Sequence, residues 1–278
     1  ADQVIGGGEL NNEEVIKSLM EKGYEVEKIQ CKSVIPNFLE LNVDKNIIVS
    51  NFVSLSEASK DYLIQSANYL IYEHDHKYLK NRNPATYPSF KAPQEEIINF
   101  SFYESAKAVL CQSDFHKKIV EHNLGLDNIV SLGGNLWSKE SLEKMREMSL
   151  KDKKDACSIM DSPIAHKNTF GAIRYCKSRD LEYELIPPSP YLSFLEKLGS
   201  NRGMVFLPRT PETLSRVVVE ARMMGLSVIT NNLVGASMEK WFSLKGESLI
   251  DKMESKREEI VETVINCFIQ EDMDESES

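Results

Sequence analysis

Short apolar runs recur along the chain at Ile47–Ser50, Tyr69–Tyr72, Ala108–Cys111, Asn128–Leu132, Cys157–Met160, Tyr183–Ile186, Met204–Leu207 and Ser227–Thr230. Most are apolar at successive positions, the pattern of a parallel strand covered by helices on both faces. Between them a helical period of apolar residues runs over Asn12–Lys22, Ser56–Ser66, Phe115–Asn123, Lys167–Ser178 and Arg216–Met224. Strand alternating with helix predicts βαβ units and open parallel sheets, an α/β fold. No repeat of fixed period is present, which excludes a solenoid or propeller.

The pattern breaks between Leu132 and Lys154, where GGNLW passes into a charged amphipathic helix, Ser138–Met148, and then into LKDKKD. A chain of 278 residues is long enough for one large or two medium domains, and this break is the natural boundary between two. It predicts two Rossmann-like domains facing a cleft, over 1–135 and 136–270. The remaining stretch 271–278, EDMDESES, is acidic and almost without apolar residues, so it is expected to be disordered. Its Asp272 and Asp274 form a D-x-D string to which no chemistry is assigned.

Composition narrows the function classes. A net charge of -10 argues against a nucleic-acid partner, since affinity for the phosphate backbone comes from clustered Lys and Arg. No apolar run has transmembrane length, and ADQVIGGGEL lacks the regions of a signal peptide, so a cytoplasmic protein is expected. Cys31, Cys111, Cys157, Cys176 and Cys267 are odd in number, scattered and without a C-x-x-C pair, which suggests buried small hydrophobes and neither zinc nor disulfides.

The segment with most chemical content is FLPRTPETLSRVVVEARMMGLSVIT. An apolar strand ends at Pro208, a loop follows, and a helix opens near Arg216. Ligands of open α/β sheets bind outside the carboxyl ends of the strands. The amides of Leu214, Ser215 and Arg216 would be free at the helix start, where the dipole favours a phosphate. Glu212 and Glu220 bracket that start with seven residues between them. Carboxylates accept paired hydrogen bonds from vicinal hydroxyls, so a diphosphate with a carbohydrate at each end suits the spacing.

On these residues the chain resembles the retaining glycosyltransferases of the GT-B fold, the branch that includes glycogen and sucrose synthases. Their E-x7-E signature is matched by Glu212, Leu214, Ser215, Glu220 and Ala221, followed by Gly225 and the run Ser227–Thr230. The resemblance implies that Glu212 contacts the transferred sugar, that the amides of Leu214, Ser215 and Arg216 hold the diphosphate, and that Glu220 takes the ribose hydroxyls. It implies a Gly-rich turn at Gly7 and Gly8 beside the donor phosphates, and His74, at the end of an apolar strand, near the sugar; His74 fits that place better than His76. Lys167, followed by Asn168, corresponds to the family's diphosphate lysine. The Arg that usually precedes it is missing, and Arg209 is the candidate substitute. Asn231, Val234, Gly235 and Ala236 would offer backbone to the donor sugar, and Ser113 would cap a helix.

The implied activity is transfer of a sugar from a UDP-, GDP- or ADP-sugar to an acceptor hydroxyl, with retention and without a metal or cofactor. The acceptor, whether glycan, lipid or small molecule, is not specified. Two alternatives remain: a nucleotide-sugar epimerase on the same scaffold, and a catalytically silent nucleotide-sugar-binding protein. A further reading makes Glu73-His74-Asp75 a variant metal motif of the GT-A fold, which would leave the E-x7-E segment unexplained.

Overall fold

The computed structural model describes residues 6–269, so the acidic tail and the run before Gly6 lie outside it. In chain order the first elements are helix α1 (Gly7–Glu21), the short helix α2 (Pro36–Glu40), β1 (Asn46–Val49), α3 (Glu57–Ser66), β2 (Asn68–Glu73), α4 (Phe100–Glu104), β3 (Ala108–Cys111), α5 (Asp114–Leu124) and β4 (Ile129–Ser131). There follow α6 (Lys139–Leu150), β5 (Lys154–Met160), α7 (Thr169–Ser178), β6 (Tyr183–Ile186), α8 (Tyr191–Gly199), β7 (Asn201–Phe206), α9 (Arg216–Met223), β8 (Ser227–Thr230) and α10 (Glu247–Ile269). The fold is α/β, with two four-stranded parallel sheets.

The first sheet has the order β1-β2-β3-β4 and pairs Leu70 with Ala108 and Val109 with Ile129. All four residues of β3 are buried, as are all but the first of β2, which is why their sequences are apolar without alternation. Helices α3 and α5 start at hydroxyl caps. Ser56 Oγ accepts from the Ser59 amide at 3.2 Å, and Ser113 Oγ accepts from the His116 amide at 3.1 Å, the cap expected from sequence. Helix α5 stops at Gly125, whose φ of 67° favours a residue without a Cβ.

The second sheet has the order β6-β5-β7-β8. From β5 the chain moves to β6 on one side, then returns to place β7 on the other side of β5. This reversal is a topological switch point, and it brings the loops leaving β5 and β7 side by side at the carboxyl edge. Trp137, Leu195, Leu198, Met204, Phe206, Val218 and Met223 are among the residues of the core that packs α6, α8 and α9 against the sheet.

The described residues divide into two compact units, 15–133 with 258–269 and 134–257 with 6–14. The divisions at the two ends fall within α1 and α10. Helix α1 begins at Gly7, so Gly7 and Gly8 form its first turn and not a turn ahead of it. All five cysteines are free thiols; Cys111, Cys157 and Cys176 are buried and Cys31 and Cys267 half-buried. No helix among the described residues is long and apolar enough to cross a membrane.

Candidate functional site

At the switch point of the second sheet, three loops are stitched together through side chains and backbone. Thr169 Oγ1 donates to the Met160 carbonyl (2.8 Å) and closes the loop after β5. The Asn168 amide group reaches the Leu207 carbonyl (2.7 Å), and the Arg209 amide donates to the His166 carbonyl (2.8 Å), which joins that loop to the one after β7. Asn231, just past β8, donates to the Pro208 carbonyl at 2.8 Å.

Glu212 is held on both sides of its peptide: its amide donates to the Leu233 carbonyl (2.7 Å), and its carbonyl accepts from the Gly235 amide (2.9 Å). The Ala236 amide donates to the Leu214 carbonyl (3.0 Å). The amides of Gly235 and Ala236 therefore support the Glu212 segment and are not the open donors that the resemblance suggested. Lys167 Nζ lies 2.8 Å from Oε1 and 3.0 Å from Oε2 of Glu212, and 5.8 Å from the Phe206 ring centre. The lysine side chain is 24% exposed and the glutamate 13%, so the pair is reachable from solvent yet fixed.

Leu214 is fully buried and enters the site only through its backbone. Ser215 precedes α9 with φ 73°, a left-handed conformation costly for a residue with a Cβ. It gives the helix no side-chain cap. Among the described residues no group accepts from the amides of Leu214, Ser215 or Arg216, so this helix start keeps its donors. Arg209 is exposed at the same edge. Its guanidinium has no described partner.

Arg216 is placed differently. Its guanidinium stacks over Trp137 at 4.5 Å, donates to the Leu136 carbonyl (2.6 Å) and reaches the Tyr191 hydroxyl (3.3 Å), so the charge faces the interior of this unit. Gly7 packs against the stem of Arg216, where a Cβ would come within 3.0 Å of Cδ; the close approach allowed by this glycine is to a side chain. Glu220 is 3% exposed. Its Oε1 accepts from Trp137 Nε1 (3.0 Å) and the Tyr191 hydroxyl (2.6 Å), with Arg216 Nε at 3.4 Å. Burial, then the charge of Glu220, holds the Tyr191 hydroxyl protonated far above the usual phenol range. Trp137 and Tyr191 carry no sequence signal that separates them from core aromatics.

In the other unit β2 delivers His74 to the carboxyl edge of its sheet, half-buried, stacked on Tyr72 (centroids 4.9 Å apart) and in contact with Gln112. His76 is buried, edge-on to His116 with ring centres 5.1 Å apart, and its Nδ1 meets the Tyr78 hydroxyl at 3.1 Å. Burial, then the Lys77 charge, pushes His76 down to about 3. Glu73 is fully buried with Lys77 and the Tyr103 hydroxyl, and Asp75 pairs with Arg82. Both acids of the Glu73-His74-Asp75 string thus serve the local fold.

No family model matches the chain, and no curated protein matches it in sequence. Solved structures share its architecture at low identity. HepE of Anabaena, in complex with UDP and glucose, superposes with a TM-score of 0.50 and 13% identity over 98% of this chain and 96% of that one. A glycosyltransferase from Rickettsia africae gives 0.45 and 14%, covering 92% and 82%. A point mutant of TarM of S. aureus, in complex with fondaparinux, alpha-GlcNAc-glycerol and UDP, gives 0.47 and 11% over 84% of this chain, which spans 57% of TarM.

Proposed function

We propose that the chain is a glycosyltransferase that binds a nucleoside-diphosphate sugar at the carboxyl edge of the second sheet and transfers the sugar to an acceptor hydroxyl. The observation that carries this reading is the Lys167–Glu212 pair at the switch point, beside a helix start whose amides have no described acceptor. A cation and open amides are what a diphosphate needs, and a fixed carboxylate beside them suits a sugar's hydroxyls. The fold shared with HepE, whose structure holds UDP and glucose, is consistent with such a donor.

In this mechanism the amides of Leu214, Ser215 and Arg216 and the Lys167 ammonium offset the charge that grows on the departing diphosphate. Glu212 hydrogen-bonds the transferred sugar, and Glu220 takes the ribose hydroxyls. Arg209 supplies a second cation. The acceptor oxygen bonds the anomeric carbon on the face from which the phosphate leaves, its proton passes to the departing phosphate oxygen as the sugar–phosphate bond breaks, and the anomeric configuration is retained with no metal required.

A thermal-shift screen against UDP-, GDP- and ADP-sugars tests the reading. A donor at a hundredfold excess over its Kd adds about 2.7 kcal/mol to stability, a shift of several degrees. The responding donor is then assayed for transfer, with and without EDTA, and the product anomer is read by NMR. Absence of any shift at millimolar donor overturns the proposal. Epimerised donor without acceptor would assign the site to an epimerase instead.

A further inference from the structure

We propose that Tyr191 and Trp137 are positioning residues that lock Glu220 so that one carboxylate edge selects the ribose of the donor; this rests on the donor-site reading above. Glu220 sits one turn into α9, and a glutamate there would ordinarily swing among several rotamers. Here two donors from separate segments hold it. Trp137 Nε1, from the segment ahead of α6, and the hydroxyl of Tyr191, at the first residue of α8, both donate to Oε1, at 3.0 Å and 2.6 Å. A carboxylate oxygen has two lone-pair sites, so these two donors fill Oε1. Arg216 Nε lies 3.4 Å from the same oxygen and adds no well-formed hydrogen bond.

The consequence falls on the other oxygen. No described residue donates to Oε2, whose two lone pairs match two adjacent ribose hydroxyls. A carboxylate held by two donors from separate elements loses little freedom when a ligand binds, which is how preorganisation raises affinity and selectivity. Both donors are also of fixed hand. Indole N–H can only donate, and Tyr191 is kept protonated by its burial. Each proton is therefore directed at Oε1, with the Tyr191 oxygen accepting from Arg216 Nη2 at 3.3 Å.

The experiment compares affinity for UDP with that for 2′,3′-dideoxy-UDP, by calorimetry, in the full chain. Wild type should prefer UDP by about tenfold or more, the worth of hydrogen bonds to a charged group. Tyr191→Phe removes one hydroxyl and should lower that ratio toward the value for Glu220→Gln, while affinity for the dideoxy nucleotide stays near wild type. A folded Tyr191→Phe protein with the wild-type ratio overturns the inference and leaves the donor site standing. Wild type that binds neither this pair nor the corresponding GDP and ADP pairs overturns the donor reading itself, and this inference with it. If Tyr191→Phe fails to fold, the indole N–H resonance of Trp137, one of two tryptophans and assigned with Trp241→Phe, decides. It should shift with UDP and hold still with the dideoxy analogue; equal shifts with both, or none with either, overturn the proposal.

Discussion

Lys167 and Glu212 neutralise each other across the two loops of the switch point, with Nζ 2.8 Å and 3.0 Å from the two carboxylate oxygens. An incoming diphosphate would compete with Glu212 for the same ammonium. The two residues should therefore respond in opposite ways to substitution. Lys167→Ala should weaken UDP binding about tenfold or more, the loss of one charge-assisted contact. Glu212→Ala should leave UDP affinity unchanged or improve it, while transfer falls to background. Calorimetry with UDP, beside a transfer assay, separates these outcomes, and a parallel loss of UDP affinity in both variants would contradict the assigned roles.

The carboxylate of Glu73 is fully buried with Lys77 and Tyr103, and Lys77 Nζ also lies 5.3 Å from the Phe52 ring. Truncation to Glu73→Ala strands the Lys77 charge in the core, a cost of about 3–5 kcal/mol. Glu73→Gln with Lys77→Met removes both charges and should recover a good part of it. Urea titration of the single and double variants measures the difference, and a double variant no more stable than Glu73→Ala would show that the pair is not what matters there.

The strands were legible because their chemistry is local. Ala108–Cys111, Tyr183–Ile186 and Ser227–Thr230 stand where the apolar runs place them; the first is buried at all four positions, so no polar residue blurs its ends, while the other two are partly exposed edge strands. The start of α1 was less legible, because three glycines suggest a turn although helix packing on Arg216 admits one of them. Lys167 and Glu212 could be brought together from sequence only through the order of elements around a switch point. The Trp137–Tyr191–Glu220 cluster could not, as it joins residues 83 and 29 positions apart, and no periodicity encodes such contacts. The same distance effect hides Arg216, which at the head of α9 resembles a phosphate ligand but turns inward onto Trp137.

The paired histidines of the amino-terminal unit give it an acid limit. His76 is neutral when folded, with its pKa at about 3, whereas the unfolded chain binds a proton near 6.5. His116 is held well below its ordinary value by burial, then by His76. The unfolded state therefore carries more protons between those limits, so stability is fully present above about pH 6.5 and falls as pH drops toward 3. Lys77 adds to the effect, while the Asp75 carbonyl, which faces His116 Nε2 at 3.0 Å, opposes it. Unfolding followed by circular dichroism from pH 7 to 4 should lose up to about 1.4 kcal/mol per pH unit for each histidine. His76→Phe should flatten that dependence, and an unchanged slope would assign the acid sensitivity to other groups.

Two arginines close together in sequence near the same loop should separate binding from folding. Arg209 is exposed, and only its backbone amide is bonded, to the His166 carbonyl. Its removal leaves the fold intact, so Arg209→Ala should melt at the wild-type temperature. If its guanidinium meets a phosphate, that variant binds UDP less tightly, and the loss shrinks as salt is raised because an exposed charge is screened. Arg216→Ala takes away the stack on Trp137, the bond to the Leu136 carbonyl and the charge beside Glu220 at once. It leaves a buried carboxylate without its cation, so a loss of about 3 kcal/mol or more in stability is expected. Melting curves and UDP affinities at two salt concentrations test both halves. A stable Arg216→Ala protein with salt-dependent loss of UDP binding would move the phosphate role from Arg209 to Arg216 and require its side chain to turn outward on binding.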